Sequence, residues 1–273
     1  MNNQAYKDKV VIITGATSGI GEACAEVFGN AGAKVVITGR NQSKLDATSK
    51  KLQQQNIEFL PILADAAQEE DNQKIAAETL AAFGKIDILI NNAGISMRAL
   101  FEEMEMEVFR QVMNINFWGT VYATKYCLPS IIENKGSVIG VSSINGFRGT
   151  PARTAYTASK YAMNGFFESL RTEVMKRGVH VMIVAPGFTA SNIRNNALNA
   201  EGKAQGESPR DESKMMTSEE VALAIFKATK KRKRDLVLTT QGKLAVFFNK
   251  WIPGIMDGIV FDLMAKEPDS PLK

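Results

Sequence analysis

Histidine is all but missing from this chain: there is one, His180, among 273 residues. A His-dependent nucleophilic triad or a multi-histidine metal site would have to be built around that single ring. It lies in Gly178-Val179-His180-Val181-Met182-Ile183, which reads as a strand entrance, where a lone imidazole serves packing or surface. Acid and base chemistry must come from other groups, and no metal centre is expected. Cysteine is scarce too: Cys24 and Cys127 form neither a metal-type nor a redox-type spacing and suit a reducing compartment. Segment 1–9 lacks the charged start, apolar stretch and small-residue cleavage site of a signal peptide, and no transmembrane span or internal repeat is visible, so a cytoplasmic protein is expected. Nor is there a strong charge excess. The 33 Lys and Arg against 29 Asp and Glu leave +4, too little to call for a nucleic-acid partner. What is present, 45% hydrophobic and 23% charged residues over a length comfortable for one domain, describes an ordinary globular protein and excludes disordered and collagen-like classes.

From Lys9 onward, short β-branched runs alternate with helical patterns. The runs are 10–13, 35–37, 57–63, 86–90, 137–141 and 179–184; the helical patterns are 21–31, 42–55, 69–83, a long stretch to about Glu133, and 154–176. Continuous apolar strands spaced by helices imply a parallel sheet covered on both faces. This is a doubly wound α/β fold of the Rossmann kind in a single domain, with ligands expected at the carboxyl ends of the strands. Residues 188–216 break the rhythm. Rich in Asn, Ser, Gly, Glu and Lys, with Pro209 and no apolar period, they read as a long loop or mobile helical excursion, either a substrate lid or a surface insertion.

The first strand runs into Thr14-Gly15-Ala16-Thr17-Ser18-Gly19-Ile20-Gly21 and then directly into a helix. Glycines here permit a tight turn and let backbone approach a pyrophosphate, while free N–H groups at the helix start face the anion. The second strand ends at Thr38-Gly39-Arg40-Asn41. An acid there would bond a ribose 2′-hydroxyl, whereas a guanidinium pairs with a 2′-phosphate; Arg40 therefore favours NADP over NAD, the alternative being a surface arginine solvating the helix start. Asp65, beyond the third strand, is placed to accept from the adenine amino group, to cap the following helix, or both. Asn91-Asn92-Ala93-Gly94, after the fourth strand, can pack under a cofactor and fix neighbouring loops.

Tyr156 and Lys160 stand four apart on one helical face. A cation beside a phenol lowers its pKa from about 10, which makes Tyr156 a candidate acid or base. Ser142-Ser143 directly follows the fifth strand, so its hydroxyls converge with Tyr156 at the carboxyl edge of the sheet. Asn116, mid-helix, either holds a water or bends the helix.

In order along residues 9–191, the TGxxxGIG turn at 14–21, NNAG at 91–94, Asn116, Ser143 thirteen before Tyr156, YxxxK at 156–160 and Pro186-Gly187 together resemble the classical short-chain dehydrogenase/reductase family. The resemblance implies a nucleotide site including Gly15, Thr17, Ser18, Gly19, Ile20, Gly21, Arg40, Asp65, Asn92, Ala93 and Gly94. It also implies a catalytic tetrad. Tyr156 would be the general acid or base, Ser143 would polarise the carbonyl or alcohol, Lys160 would bind the nicotinamide ribose and tune Tyr156, and Asn116 would hold a proton-relay water. Pro186, Gly187, Thr189 and Ser191 would line the nicotinamide pocket, Ser191 standing where relatives often carry Thr. Ser18 holds a position where NADP users often place a second basic residue, which leaves Arg40 as the main discriminator. A homodimer or homotetramer is implied as well. An NADPH-binding regulator or scaffold without turnover is the alternative, and it has no need of Tyr156.

Towards the C-terminus, Lys230-Lys231-Arg232-Lys233-Arg234 reads as a solvated helix end, or else a contact for a membrane surface or anionic ligand. Residues 243–273 then form an apolar extension, with Leu244, Phe247, Phe248, Trp251, Ile255, Ile259 and Leu263 at helical spacing. Lys250, Pro253, Asp257 and Asp262 interrupt it, so it does not read as a transmembrane helix. Its apolar face can pack on the protein's own substrate cleft, on a second subunit or on lipid. Each of the three fits a lipophilic carbonyl or alcohol substrate.

Overall fold

Seven parallel strands in the order β3-β2-β1-β4-β5-β6-β7 form one sheet in the computed structural model, which describes residues 5–191, 193–206 and 215–273. The strands are β1 (Val10–Ile13), β2 (Lys34–Gly39), β3 (Phe59–Leu63), β4 (Ile88–Asn91), β5 (Ser137–Val141), β6 (His180–Ala185) and β7 (Asp235–Val237). β1 pairs with both β2 and β4, so the chain reverses direction across the sheet between them. The crevice outside their carboxyl ends is where such a sheet binds ligands.

Helices cover both faces, which is why the central strands are apolar without alternation. On one side α1 (Gly19–Gly29), α2 (Gln42–Gln54) and α7 (Ser218–Lys230) pack over Val11, Ile13, Val35 and Ile37. On the other, α3 (Glu69–Phe83), α5 (Gly119–Glu133) and α6 (Thr154–Val174) pack over Val10, Ile12, Val36 and Leu89. Neighbouring residues of one strand thus feed opposite cores, as the two-residue period of a strand requires.

The structure differs from the sequence pattern at several ends. α1 begins at Gly19 rather than 21, because the cradle glycines form its first turn. The long helical stretch before Glu133 is two helices, α4 (Met106–Met113) and α5, joined by a π-helical turn at Asn114–Trp118 that contains Asn116. Among the described residues of 188–216 up to Met216 there is no helix. Isolated bridges, Thr189 to Met216, Met97 to Leu198 and Leu198 to Ala204, tie that segment down. Asn192 and 207–214, including Pro209, lie outside the described residues.

His180 is buried, its ring nitrogens bonded to Ser137 Oγ at 3.1 Å and the Lys233 carbonyl at 2.7 Å. The basic run 230–234 is exposed, with Arg232 donating to the carbonyls of Lys135 and Gly178. The apolar extension folds into a hairpin of α8 (Thr240–Trp251) and α9 (Pro253–Ala265), with Pro253 starting the second helix. One expected option fails here. Leu244, Phe247, Phe248, Trp251, Ile255, Ile259 and Leu263 are all exposed, so the stripe does not cover the protein's own cleft. Only Met256, Val260 and Met264 of α9 turn inward, onto Ala245 and Leu272.

Candidate active site

The ends of β1 and β4 are laced together across the crevice. Asn92 Nδ2 donates to the Thr14 and Gly15 carbonyls, each at 3.0 Å, and the backbone N–H groups of Asn92 and Ala93 both donate to Thr14 Oγ1 at 3.0 Å. Within this lacing Gly15 and Gly19 take φ of +64° and +57°. A Cβ on Gly21 would lie 2.4 Å from the Gly15 carbonyl oxygen and 2.5 Å from Asn92 Nδ2. Only glycine fits, so α1 starts flush against the turn. Ser18, its N-cap, makes no side-chain cap, which leaves first-turn N–H groups for another acceptor.

A cleft of about 480 Å³ opens over this turn. Gly15, Thr17, Ser18, Gly19, Ile20, Arg40, Asp65, Asn92, Ala93, Gly94 and Ser191 all line it. Gly21 does not; it supports the turn from behind. Lys44, one turn into α2 beside Arg40, also lines the cleft and carried no sequence signal. Asp65 Oδ1 accepts from Ala67 N at 3.0 Å, whereas the N-cap of α3 is Gln68. The helix-capping reading of Asp65 is therefore corrected: its carboxylate closes a local turn before the helix.

A smaller cleft of about 150 Å³ shares Ile20, Asn92, Gly94, Ser191 and Ile193 with the first. Ser143, Tyr156, Lys160, Pro186, Gly187 and Thr189 line it, together with Arg153 and Arg194, which sequence reasoning missed. β5 delivers Ser143 and α6 delivers Tyr156 and Lys160, as the pattern implied. Arg153 donates to Ser96 Oγ at 3.3 Å and to the Met97 carbonyl at 2.7 Å; Arg194 donates to the Thr189 carbonyl at 2.8 Å.

The electrostatics correct a second expectation. Burial raises the Tyr156 phenol above its ordinary value, while a hydrogen bond from Ser143 and the charges of Arg153 and Arg194 pull it partly back. Lys160 is not among those groups. Its own ammonium is buried and pushed down to about 8, and it donates to the Val141 carbonyl at 3.0 Å and Met163 Sδ at 3.4 Å. Desolvation disfavours both charged forms, which opposes the simple cation-and-phenol argument.

Asn116 lines neither cleft. Fully buried in the π turn, it accepts from Ile95 N at 2.8 Å and donates to the Ile95 carbonyl and Ser159 Oγ, each at 2.9 Å. Both amide hydrogens are committed, so only an Oδ1 lone pair is spare at its side chain. Asn116 thereby pins the loop after β4 to α6, one residue before Lys160.

The sheet order, the glycine turn at the crevice and the Ser, Tyr and Lys cluster beside it define a nucleotide-binding oxidoreductase. A family model for short chain dehydrogenases matches residues 9–202. The mouse protein "Dehydrogenase/reductase SDR family member 7B" is 38% identical, covering 99% of this chain and 86% of that one. The Drosophila melanogaster "Dehydrogenase/reductase SDR family protein 7-like" is 34% identical, covering 94% and 80%. A crystal structure of a short-chain dehydrogenase/reductase from Burkholderia phymatum in complex with NAD superposes with a TM-score of 0.83 at 22% identity, over 92% of this chain and 96% of that one. The chain belongs to the short-chain dehydrogenase/reductase family, oxidoreductases that act on CH–OH groups with a nicotinamide nucleotide as acceptor.

Proposed function

We propose that this protein is an NADP-dependent oxidoreductase that interconverts a carbonyl and a hydroxyl on a lipophilic small molecule, with Tyr156 as the general acid or base. The observation that carries this reading is that Ser143, Tyr156 and Lys160 line a cleft that adjoins the one over the glycine turn and shares Ile20, Asn92, Gly94, Ser191 and Ile193 with it. The residues fit a dinucleotide: the close approach at Gly21 and the uncapped start of α1 leave a concave, donor-lined turn suited to a pyrophosphate. Arg40, with Lys44 beside it, holds a 2′-phosphate, and Asp65 accepts from the adenine amino group. Pro186, Gly187, Thr189 and Ser191 line the nicotinamide end.

When bound, the nicotinamide supplies or takes up hydride at the substrate carbon. In reduction, the phenol of Tyr156 gives its proton to the substrate oxygen, and its raised pKa keeps that proton in place at neutral pH. The Ser143 hydroxyl donates to the same oxygen as negative charge builds. Lys160 binds the nicotinamide ribose. The relay water that the family resemblance gives to Asn116 has one Oδ1 lone pair left for it. Oxidation runs in reverse. Residues 188–216 serve as a lid over the substrate. The protein works in the cytoplasm as a homodimer or homotetramer, with peripheral membrane contact through the C-terminal segment.

A panel of carbonyls and alcohols read at the nicotinamide absorbance, with NADPH and NADH in parallel, tests the reading. Tyr156→Phe is expected to lower turnover by about 10²- to 10⁴-fold, the usual worth of a positioned acid or base, while NADPH still binds. Full activity in a folded Tyr156→Phe variant removes the assignment. NADPH binding with no turnover on any substrate favours the regulator or scaffold instead.

A further inference from the structure

The chain keeps a broad apolar surface uncovered. On α8, Leu244, Phe247, Phe248 and Trp251 recur at i, i+3, i+4 and i+7, so they share one face. Trp251, 67% exposed, is the most exposed large apolar residue among the described ones. Across the turn, Ile255, Ile259 and Leu263 of α9 recur at i, i+4 and i+8, and are exposed as well. Large apolar side chains exposed together on one helix face mark an interaction site.

The platform beneath them is firmly attached. Asn249 Nδ2 donates to the Phe147 carbonyl at 2.8 Å, Arg148 donates to Asn249 Oδ1 at 3.1 Å, and Arg148 pairs with Asp257 at 2.7 Å. Beyond α9, Arg98 donates to the Pro268 carbonyl at 2.9 Å. The hairpin is thus fastened to the loop that follows Ser143 and to the loop after β4.

Charge decides what covers it. The charged residues of α8 are Lys243 and Lys250, with no acid on the helix, and Lys250 Nζ sits 5.9 Å from the Trp251 ring centroid. Of the two acids of α9, Asp257 is already held by Arg148, and the exposed Asp262 is outnumbered by Lys243, Lys250 and the exposed Lys266 that follows the helix, so the hairpin stays net cationic. In a two-fold contact with a second copy each patch meets itself, which would set two pairs of lysines against each other with Asp262 of each α9 as the one acid of the hairpin not already held by Arg148. An anionic lipid surface satisfies both features: the boundary between headgroups and acyl chains takes the rings, and the phosphates take the ammonium groups. α9 has 13 residues, a rise of roughly 20 Å, short of a hydrocarbon core of about 30 Å. No helix among the described residues is long and apolar enough to cross a membrane.

We propose that the α8–α9 hairpin docks the protein on an anionic lipid surface, with the Leu244, Phe247, Phe248 and Trp251 face in the interface and Lys243 and Lys250 at the headgroups. Because the hairpin is fastened to Phe147 and Arg148, docking holds the loop that follows Ser143 close to the bilayer. The docking stands whether or not the cofactor and substrate readings hold.

The test uses the full chain with phosphatidylcholine vesicles, with and without phosphatidylglycerol, in a Trp118→Phe background so that Trp251 alone reports. The expected result is co-sedimentation with the phosphatidylglycerol vesicles, a blue shift of Trp251 emission, and weakening by salt. Lys243→Gln and Lys250→Gln should each reduce partitioning about fivefold, and Phe247→Ser with Trp251→Ser should abolish it while the melting transition is kept. The lysine variants keep the test decisive if the aromatic variant fails to fold. Absence of binding, or equal binding to neutral vesicles, overturns the proposal. So does conversion of a dimer to a monomer by Phe247→Ser without any vesicle binding by the parent, which assigns the face to a second copy.

Discussion

Lys160 Nζ lies 5.7 Å from the centroid of the Tyr156 ring, yet its hydrogen bonds go to the Val141 carbonyl and Met163 Sδ. An ammonium given one carbonyl and one weak thioether acceptor, and no carboxylate, is poorly compensated for lost water. That is why its pKa falls from 10.5 to about 8. Between those values the unfolded chain binds a proton that the folded protein has released, so this group's contribution to stability rises with pH across that window. Below pH 8 the burial penalty is fully present, about 3 kcal/mol at 1.36 kcal/mol per pKa unit. Lys160→Met should therefore be more stable than the parent at pH 7, with an advantage that shrinks as pH rises from 8 towards 10.5. Urea unfolding midpoints at pH 7 and pH 10 check this; an advantage independent of pH shows that Lys160 does not titrate in that range.

Asn116 holds Ile95 and Ser159 through three hydrogen bonds inside a π turn. Asn116→Leu would leave the part-buried Ile95 N–H and carbonyl, both tied to that amide, without it, at up to about 1–3 kcal/mol for each group that water does not reach. Ser159→Ala removes the last of the three contacts together with the hydroxyl's own bond to the Tyr156 carbonyl, leaves one buried Asn116 N–H unpaired, and should cost about 1–3 kcal/mol, against two such groups for Asn116→Leu. Denaturant midpoints are expected to fall in that order, with Asn116→Leu the lower. Equal losses for the two variants would show that Ile95 finds other partners.

The alternation of strand and helix was readable because each strand is covered on both faces and each helix on one, so the buried pattern repeats the local period. Val10 to Ile13 is apolar throughout for that reason. The π turn at 114–118 was not readable, since one extra residue per turn leaves the apolar spacing on either side intact. Arg194 escaped because it reaches Tyr156 from a distant loop, and a distance created by folding leaves no spacing in the chain; Arg153, the N-cap of α6 three residues before Tyr156, did stand within a readable spacing. The rise in the Tyr156 pKa is likewise a property of burial, whereas the four-residue spacing to Lys160 speaks only of proximity. For α8 the stripe itself was plain; periodicity identifies an apolar face but not what meets it.

Arg40 and Lys44 line the cleft over the glycine turn from the end of β2 and the first turn of α2. A charge-assisted hydrogen bond is worth about 1.5–3 kcal/mol, roughly ten- to a hundredfold in affinity. Arg40→Ala should weaken NADPH binding by that factor and leave NADH binding nearly unchanged, with Lys44→Ala giving a smaller loss of the same kind. Calorimetric titration with each nucleotide measures both. A parent protein that binds the two equally removes the NADP preference, whereas loss on Arg40→Ala alone removes only the role of Lys44.

Gly21 and Gly165 both sit in helices, and the same substitution should act oppositely at the two. A methyl group on Gly21 meets the Gly15 carbonyl oxygen at 2.4 Å, backbone that is itself bonded to Asn92. Gly21→Ala must push α1 away from the turn, and since the lacing of β1 to β4 runs through those same atoms, the phosphate cradle deforms with it. At Gly165 in α6 the added methyl meets nothing within 4 Å. There the gain in helix propensity is unopposed, and Gly165→Ala should stabilise the protein by about 0.5–1 kcal/mol. Thermal unfolding with and without NADPH separates the two effects: Gly165→Ala raises the midpoint in both conditions, and Gly21→Ala lowers it and abolishes the shift that NADPH produces in the parent. A Gly21→Ala variant that keeps that shift would show that the nucleotide does not rest on this turn.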